Sequence, residues 1–273
     1  MLRAKIITAA ILAPLVVFAM LNLSMLALAG LFVCVIAYTA WEWSALMNVK
    51  NVWVRILYVL FIITLLYCSF IIILSSPWFW LYGIIIAATV CWCVSAVLIA
   101  LYPRLSKIWD KKILVGLLGI FVLVACWDSL MYLLGLGIVS VYLGPPTILY
   151  LLALIYFADI GAYFIGHCFG KHNTALAVGG GMLLAMVSIC IPSYFLLKGH
   201  LLGPEQWVWW VLLNLLTLCF AVVGRLTISM LKQCRHFKNS GWLLPGYGGL
   251  LDVMGSLTSA APIFALGCLL LIR

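Results

Sequence analysis

The sequence predicts an all-α, polytopic integral membrane protein with about nine transmembrane helices and a cytoplasmic N-terminus. Of its 273 residues, 68% are hydrophobic and only 8% are Asp, Glu, Lys or Arg, whereas a soluble globular domain has roughly 25% charged residues. A chain this apolar cannot cover a water-facing surface. Helices are the expected spanning structure, because each helix satisfies its own backbone hydrogen bonds inside the bilayer.

Apolar segments follow one another along the chain, each close to the length of about 20 residues that a membrane-spanning helix needs. In order, they are 5–23, 25–47, 53–75, 78–101, 112–136, 147–168, 175–197, 206–231 and 250–272. The first lacks a clear small-residue cleavage site and further spans follow at once, so we expect a span rather than a signal peptide. Residues 1–273 are predicted to form one integral membrane domain, with N-terminal helices in 1–145 and the site in 146–273.

The positions of the basic residues support this topology. With a cytoplasmic N-terminus, all of the 15 Lys and Arg residues except Lys198 and Arg273 lie on or near the cytoplasmic side, as the positive-inside rule predicts. The net charge of +9 is therefore first a topology signal and does not indicate nucleic-acid binding. The positive charge could also attract anionic lipid or a phosphorylated substrate.

Two further residue types are assigned to the bilayer. Most of the ten cysteines lie inside apolar spans, where Cys behaves as a small hydrophobic residue, and no His/Cys spacing resembles a zinc site. The group Trp207, Trp209 and Trp210 is interpreted as an anchor at the membrane interface. Neither disulfides nor a zinc site is expected.

Asp159, in the sequence FADIGAYFIG, is the first candidate functional residue. It lies deep enough in a predicted helix for its charge to be costly, and such a carboxylate usually faces the bundle interior and often marks a functional path. Gly161, Gly166 and Gly170 allow close backbone approach nearby. The alternative is a hydrogen-bonded Asp with a purely structural role at a helix end.

Asp252 follows the glycine-rich sequence PGYGGLL. The backbone of a loop containing Pro245, Gly246, Gly248 and Gly249 could approach a phosphate closely. A carboxylate beside such a loop suits Mg²⁺, which takes oxygen ligands from one or two carboxylates and from substrate phosphates. The alternative is an Asp that is favoured at a helix N-terminus by the helix dipole.

Lys232, Arg235 and Lys238 recur at positions i, i+3 and i+6, which gives a loosely aligned basic face on a helix near the membrane surface. They could contact the phosphates of a nucleotide or a lipid. The alternative is an ordinary cluster of positive charges on the cytoplasmic side.

Together these residues resemble the signature of the phosphatidate cytidylyltransferase family, the CDP-diacylglycerol synthases. The C-terminal signature is matched without gaps by Ser229, Lys232, Lys238, Gly241, Pro245, Gly248, Gly249 and Asp252. Upstream, the family's Ala-Asp-Ser/Thr-Gly-Ala-Tyr is matched by Ala158, Asp159, Gly161, Ala162 and Tyr163, and its Phe-Gly-Lys turn by Phe169, Gly170 and Lys171. AWEWSAL at 40–46 is also similar to the family, so the resemblance covers nearly the whole chain.

The resemblance implies a reaction in phospholipid biosynthesis, in which CTP and phosphatidate give CDP-diacylglycerol and pyrophosphate. It implies catalytic roles for Asp252, Lys232 and Asp159, with Asp252 also a ligand of Mg²⁺. It further implies substrate binding by Ser229, Lys238, Gly248, Gly249 and Lys171. The expected partners are phosphatidate, CTP, membrane lipids and a second copy of the chain, at a bacterial inner membrane with the site facing the cytoplasm.

Several charged residues of the signature are replaced in this chain. Arg225 stands where the family has an Asp, Ile228 where an acidic residue is frequent, and Gly255 where the signature ends in Asp. Further replacements are Ile160, the stretch Gly179 to Leu183, Gln233, Asn239, Tyr247 and Val253. A cation at position 225 disfavours metal there and costs several kcal/mol if buried without a partner. Arg225 therefore either replaces a metal ion or leaves a site that does not turn over.

Three hypotheses follow from the sequence. The first is an active cytidylyltransferase with an altered site. The second is a weakened or inactive homologue that binds lipid or nucleotide and acts as a membrane partner or regulator. The third is a transporter, which would explain the intramembrane residues Asp128 and Asp159 but leaves the signature spacing as coincidence.

Overall fold

A computed structural model describes residues 2–75, 77–101, 111–138, 143–168, 179–181, 185, 205–235 and 248–271. Within these ranges the regular structure is helical, without strands. The long helices are α1 (Leu2–Asn22), α2 (Met25–Leu46), α3 (Val52–Ser75), α4 (Pro77–Ala100), α5 (Lys112–Gly135), α6 (Pro145–Cys168), α7 (Gln206–Cys234) and α8 (Leu250–Leu271). The predicted all-α fold is confirmed.

Seven helical stretches in the described ranges are long and apolar enough to cross a membrane. They lie in α2 to α8 and coincide with seven of the predicted spans, which confirms a polytopic membrane protein. In α1 the apolar stretch Ala10–Asn22 is shorter, and the predicted span 175–197 lies almost entirely outside the described residues. The count of nine, the cytoplasmic N-terminus and the single domain stay predictions.

Local sequence signals fix several helix ends. Ser24 begins α2 as its N-cap, and its Oγ accepts a hydrogen bond from the Ala27 N–H at 3.3 Å, as Ser does at many helix starts. Asn48, just past the end of α2, has a φ of 56°, a left-handed conformation that Asn tolerates better than most residues. Before α6, Gly144 has a φ of 77° and Pro145 opens the helix.

Helices α5 and α8 form the centre of the bundle. Within their spans, 67% of the α5 residues and 72% of the α8 residues are buried, against 17% for α3 and 22% for α4. Helix α8 packs against α7, α5 and α4. The described cysteines, among them Cys126 of α5 and Cys268 of α8, are free thiols.

Indole and phenol groups hydrogen-bond to backbone carbonyls of neighbouring helices. The Trp43 indole of α2 donates to Val115 O at 2.9 Å, and the Tyr58 hydroxyl of α3 donates to Gly116 O at 3.1 Å. The Trp92 indole of α4 donates to Thr258 O of α8 at 3.0 Å. These bonds connect α2, α3 and α4 to the central helices α5 and α8. They also give partners to indole and hydroxyl donors that would have none in lipid.

The intramembrane Asp128 lies fully buried on α5. Its Oδ1 accepts a hydrogen bond from Ser69 Oγ at 2.5 Å, and the Ser69 Oγ in turn accepts one from the Trp80 indole at 3.1 Å. The carboxyl group therefore has a partner inside the bundle. Its other oxygen, Oδ2, is buried without a hydrogen-bond partner among the described residues.

Candidate active site

Helix α7 carries a polar face in its last three turns. Arg225, Ser229 and Lys232 occur at i, i+4 and i+7, so they lie on one side of the helix, and all three are half-buried. At 1.5 Å per residue, Arg225 lies about 10 Å further from the end of α7 than Lys232 does. Ile228 and Leu231 are buried on the adjoining face.

The outer member of this face, Lys232, meets Asp252. The Lys232 Nζ donates a hydrogen bond to Asp252 Oδ1, and only 15% and 19% of the two side chains are exposed. Asp252 lies in the first turn of α8. Two residues that the sequence assigned to the same site therefore lie in direct contact.

The inner member, Arg225, pairs with Asp159. An Nη of Arg225 contacts the Asp159 carboxylate of α6, and 38% of each side chain is exposed. This partner offsets the cost that a cation at position 225 would otherwise carry. Two ion pairs thus lie along α7, and Ser229 lies between them along the helix.

Glu42 of α2 is a third carboxylate beside the site, and the sequence did not predict its role. Its side chain is 2% exposed. It accepts hydrogen bonds from the backbone N–H groups of Leu250 at 3.2 Å and Leu251 at 2.7 Å. These are the first two residues of α8, whose N–H groups have no acceptor within the helix. Glu42 therefore caps α8 from a residue more than 200 positions away.

Gly248 and Gly249 directly precede α8, which begins at Leu250 and carries Asp252 in its first turn. Gly248 has a φ of 99°, a conformation that costs Gly little and other residues much. These glycines, which the sequence predicted to bind phosphate, lie four and three residues before Asp252 in the chain. Lys171 and Lys238, the other predicted substrate ligands, lie outside the described residues, as do Gly241, Pro245 and Tyr247.

Helices α7 and α8 approach closely beneath the site. A Cβ atom on Gly224 would overlap Gly255 O and Ser259 Oγ, and a Cβ atom on Gly255 would lie 2.9 Å from Ile228 Cγ1. The Ser259 hydroxyl donates to Phe220 O at 2.7 Å across the interface. Small residues at such contacts let the backbones of membrane helices pack tightly.

Comparison with known proteins gives the family. The model of the cytidylyltransferase family matches residues 3–271. The chain belongs to this family. It is 30% identical to the phosphatidate cytidylyltransferase of Haemophilus influenzae over 253 residues, which are 82% of this chain and 84% of that protein. It is also 30% identical to the phosphatidate cytidylyltransferase of Pseudomonas aeruginosa over 270 residues, 97% of this chain and 96% of that protein.

Within this cytidylyltransferase family, two of the sequence departures are linked in space. Ile228 replaces a frequent acidic residue and Gly255 replaces the final Asp of the signature. Because Ile228 lies against Gly255, a larger residue at 255 requires Ile228 to move. An apolar contact thus stands where the signature has acidic residues. The replacement of Asp by Arg225 is likewise matched by an ion pair with Asp159.

Each of the three carboxylates near the site already has a partner among the described residues. Glu42 is engaged by two N–H groups, Asp159 by Arg225 and Asp252 by Lys232. Among these described residues, no three His, Cys, Asp or Glu side chains are grouped to hold a metal. One carboxylate with substrate phosphates is a frequent Mg²⁺ arrangement. Asp252 as a Mg²⁺ ligand therefore stays a prediction, which requires that Asp252 be released from Lys232.

Proposed function

We propose that this cytidylyltransferase-family protein transfers the cytidylyl group of CTP to phosphatidate, giving CDP-diacylglycerol and pyrophosphate. The proposed location is a bacterial inner membrane, with the site facing the cytoplasm. The observation that carries the proposal is the Lys232–Asp252 pair at the start of α8, directly after Gly248 and Gly249. The two bacterial relatives named as phosphatidate cytidylyltransferases support it.

The contacts of Glu42 restrict where a triphosphate binds. The N–H groups of Leu250 and Leu251 are already taken by a carboxylate, so the extreme N-terminus of α8 is not an open anion site. Among the described residues, Lys232 is the cation proposed to contact the nucleotide phosphates, and Gly248 and Gly249 precede its partner helix α8. When a phosphate draws Lys232 away, Asp252 is released from its ion pair.

In the proposed reaction, a phosphate oxygen of phosphatidate forms a bond to the α-phosphorus of CTP. The bond from that phosphorus to the bridging oxygen of the β-phosphate breaks, and pyrophosphate leaves. Lys232 holds phosphate oxygens whose negative charge grows in this step. Mg²⁺, held by Asp252 together with the substrate phosphates, would neutralise charge on the triphosphate.

A transfer assay with matched carboxylate variants tests the proposal. Purified protein in detergent receives phosphatidate, labelled CTP and Mg²⁺, and the label in extracted lipid is counted. We expect Asp252→Asn to lower kcat by about a hundredfold or more, as loss of a charged catalytic group does. Glu205→Gln is the control, because Glu205 begins α7 at its opposite end and its side chain makes no capping bond. Equal rates for Asp252→Asn and Glu205→Gln would contradict the proposal.

One observation favours a second candidate function, an inactive homologue that binds lipid or nucleotide. Both cations on the polar face of α7 are matched by carboxylates, and such a site is stable without turnover. The same protein would then bind CTP or phosphatidate measurably but transfer no label. A homodimer also stays a prediction, and it is compatible with both an active enzyme and an inactive homologue.

A further inference from the structure

The Arg225–Asp159 ion pair leaves part of the guanidinium available. An Nη atom of Arg225 contacts Asp159, whereas its Nε has no hydrogen-bond acceptor among the residues that the structure describes. The Nε atom is buried, whereas 38% of each side chain is exposed, so a ligand from outside reaches the Nη atoms of Arg225 first. Arg presents planar donor pairs that match the oxygens of a phosphate, and Nε can join such a contact once the guanidinium turns away from Asp159.

A small apolar cavity adjoins Arg225. It has a volume of about 120 Å³ and lies between α6 and α7. Helix α6 contributes Ala158 and Ala162, and α7 contributes Leu218, Ala221 and Leu226 beside Arg225. The two alanines leave space that longer side chains would fill. Apart from the guanidinium, these walls are apolar, so hydrocarbon is a better occupant than water.

The depth of Arg225 fits the phosphate level of a membrane. Helix α7 has 29 residues, about 43 Å, which is longer than the hydrocarbon core of about 30 Å. Its first turn carries Trp207 and Trp209 and its last turn carries Lys232, residues that favour the two interfaces. Arg225 lies two turns, about 10 Å, before Lys232, so its long side chain can extend toward the phosphate level.

We propose that Arg225 is an anchor for the phosphate monoester of a membrane lipid. The lipid phosphate takes the place of Asp159 on the guanidinium, part of the lipid's chain enters the cavity between α6 and α7, and no metal ion is required. Asp159 is the internal counter-ion that holds Arg225 in position until the lipid binds. This assignment rests on the proposed function for the identity of the lipid, phosphatidate, whereas the binding itself needs neither CTP nor turnover.

The charge and shape of a phosphate monoester favour it over the Asp159 carboxylate as the partner of Arg225. A phosphate monoester carries a charge near −2 at neutral pH and three terminal oxygens, against one charge and two oxygens for Asp159. Arg–phosphate contacts are frequently bidentate, which uses the Nε edge as well as Nη. A phosphodiester lipid carries a single charge, so it competes less well with Asp159.

Lipid binding without CTP and without metal tests this anchor. Protein in nanodiscs containing EDTA is titrated with fluorescent phosphatidate, and the same titration with fluorescent phosphatidylglycerol reports binding of an anionic diester. We expect phosphatidate to bind at least about tenfold more tightly, the difference expected from one charge-assisted contact. Glycerol 3-phosphate is added as a competitor, because displacement at low concentration would assign the site to a soluble phosphate and overturn the lipid anchor.

Substitutions of Asp159 and Arg225 should change the affinity for phosphatidate in opposite directions. Asp159→Asn removes the competing charge and should tighten phosphatidate binding about tenfold, whereas Arg225→Gln should weaken it about tenfold or more. Arg225→Lys keeps the charge without the planar fork and should bind with an intermediate affinity. Lys112→Gln is the control, because Lys112 is an exposed cation at the start of α5.

A purely structural ion pair predicts a different pattern. Asp159→Asn and Arg225→Gln would then lower the unfolding temperature, and neither would tighten binding. An Asp159→Asn protein that unfolds near the wild-type temperature and binds no more tightly overturns the proposal. So does an Arg225→Lys protein with unchanged affinity. Loss of transfer activity with phosphatidate binding intact would instead contradict only the proposed function.

Discussion

Glu42 determines where α8 begins and, through that, where Asp252 lies. A buried carboxylate that accepts two N–H groups at the first turn of a helix satisfies donors that have no partner inside the helix, and its charge is favoured by the helix dipole. Asp252 is the residue directly after Leu251, one of the two donors. We therefore expect Glu42 to position the Lys232–Asp252 pair.

Replacing Glu42 should affect stability and turnover together. Glu42→Ala leaves two N–H groups in a buried environment without acceptors, and we expect a loss of about 2–4 kcal/mol in the free energy of unfolding. Glu42→Gln keeps a neutral acceptor and should lose less. Because Asp252 shifts, kcat should fall about ten- to a hundredfold with a smaller change in KM, measured by steady-state kinetics.

Two comparisons keep the Glu42 prediction falsifiable. Glu205→Gln should change neither the unfolding free energy nor kcat. A Glu42→Gln protein with wild-type stability but lowered kcat would still support a positioning role. Wild-type kcat in both Glu42 variants would show that the α8 cap does not hold Asp252 for the reaction.

Single residues were predictable from the sequence only where a local pattern carried them. Asp252 was found from the glycine-rich stretch before it, and Lys232 from the spacing of basic residues. The contacts of Glu42 join positions more than 200 residues apart, so no local pattern contains them. An acidic residue in an apolar helix was the available signal. The partner of Arg225 was equally hidden, because Asp159 lies on another helix.

At the scale of elements, helices α7 and α8 carry the Lys232–Asp252 pair of the site. The two helices contribute Lys232 and Asp252, and they can approach because Gly224 and Gly255 face each other with Ser259 beside them. A rigid contact beneath the site fixes the relative position of the ion-pair partners. Glycines in membrane helices have this effect more often than in soluble ones.

The effect of a single methyl group tests this contact. Gly224→Ala places a Cβ atom against Gly255 O and Ser259 Oγ, and we expect it to lower the free energy of unfolding by about 1–3 kcal/mol through overpacking. Gly30→Ala is the matched control, because a Cβ atom on Gly30 in α2 meets nothing within 4 Å. It should be neutral or stabilising by up to about 1 kcal/mol. Reversible unfolding in detergent measures both, and equal effects would contradict the close packing.

Helix positions were predicted well from the sequence because each span is a long apolar run. The predicted 53–75 and 250–272 differ from α3 (Val52–Ser75) and α8 (Leu250–Leu271) by a single residue at one end. Helix α7 extends three residues beyond the predicted 206–231, since Lys232 continues the helix outside the apolar core. Which helices lie at the centre was not predicted, because the spans apart from α7 are apolar nearly all round and show no preferred buried face.

At the scale of the whole molecule, the sequence match to the family covers nearly the whole chain, while several charged residues of the signature are replaced. The family match extends over residues 3–271, and the N-terminal helix α2 reaches the site through Glu42. The site is therefore built from both ends of the chain. Acidic positions of the signature have become an ion pair at Arg225 and an apolar contact at Ile228 and Gly255.

The central claim is that this rearranged site still transfers a cytidylyl group to phosphatidate. The most direct measurement follows wild-type protein with phosphatidate, Mg²⁺ and CTP that is labelled at the α-phosphate in one reaction and at the γ-phosphate in another. We expect the α-label to enter the lipid extract and the γ-label to be released as pyrophosphate, at equal rates. An unlabelled lipid extract, from folded protein that binds phosphatidate, would contradict it.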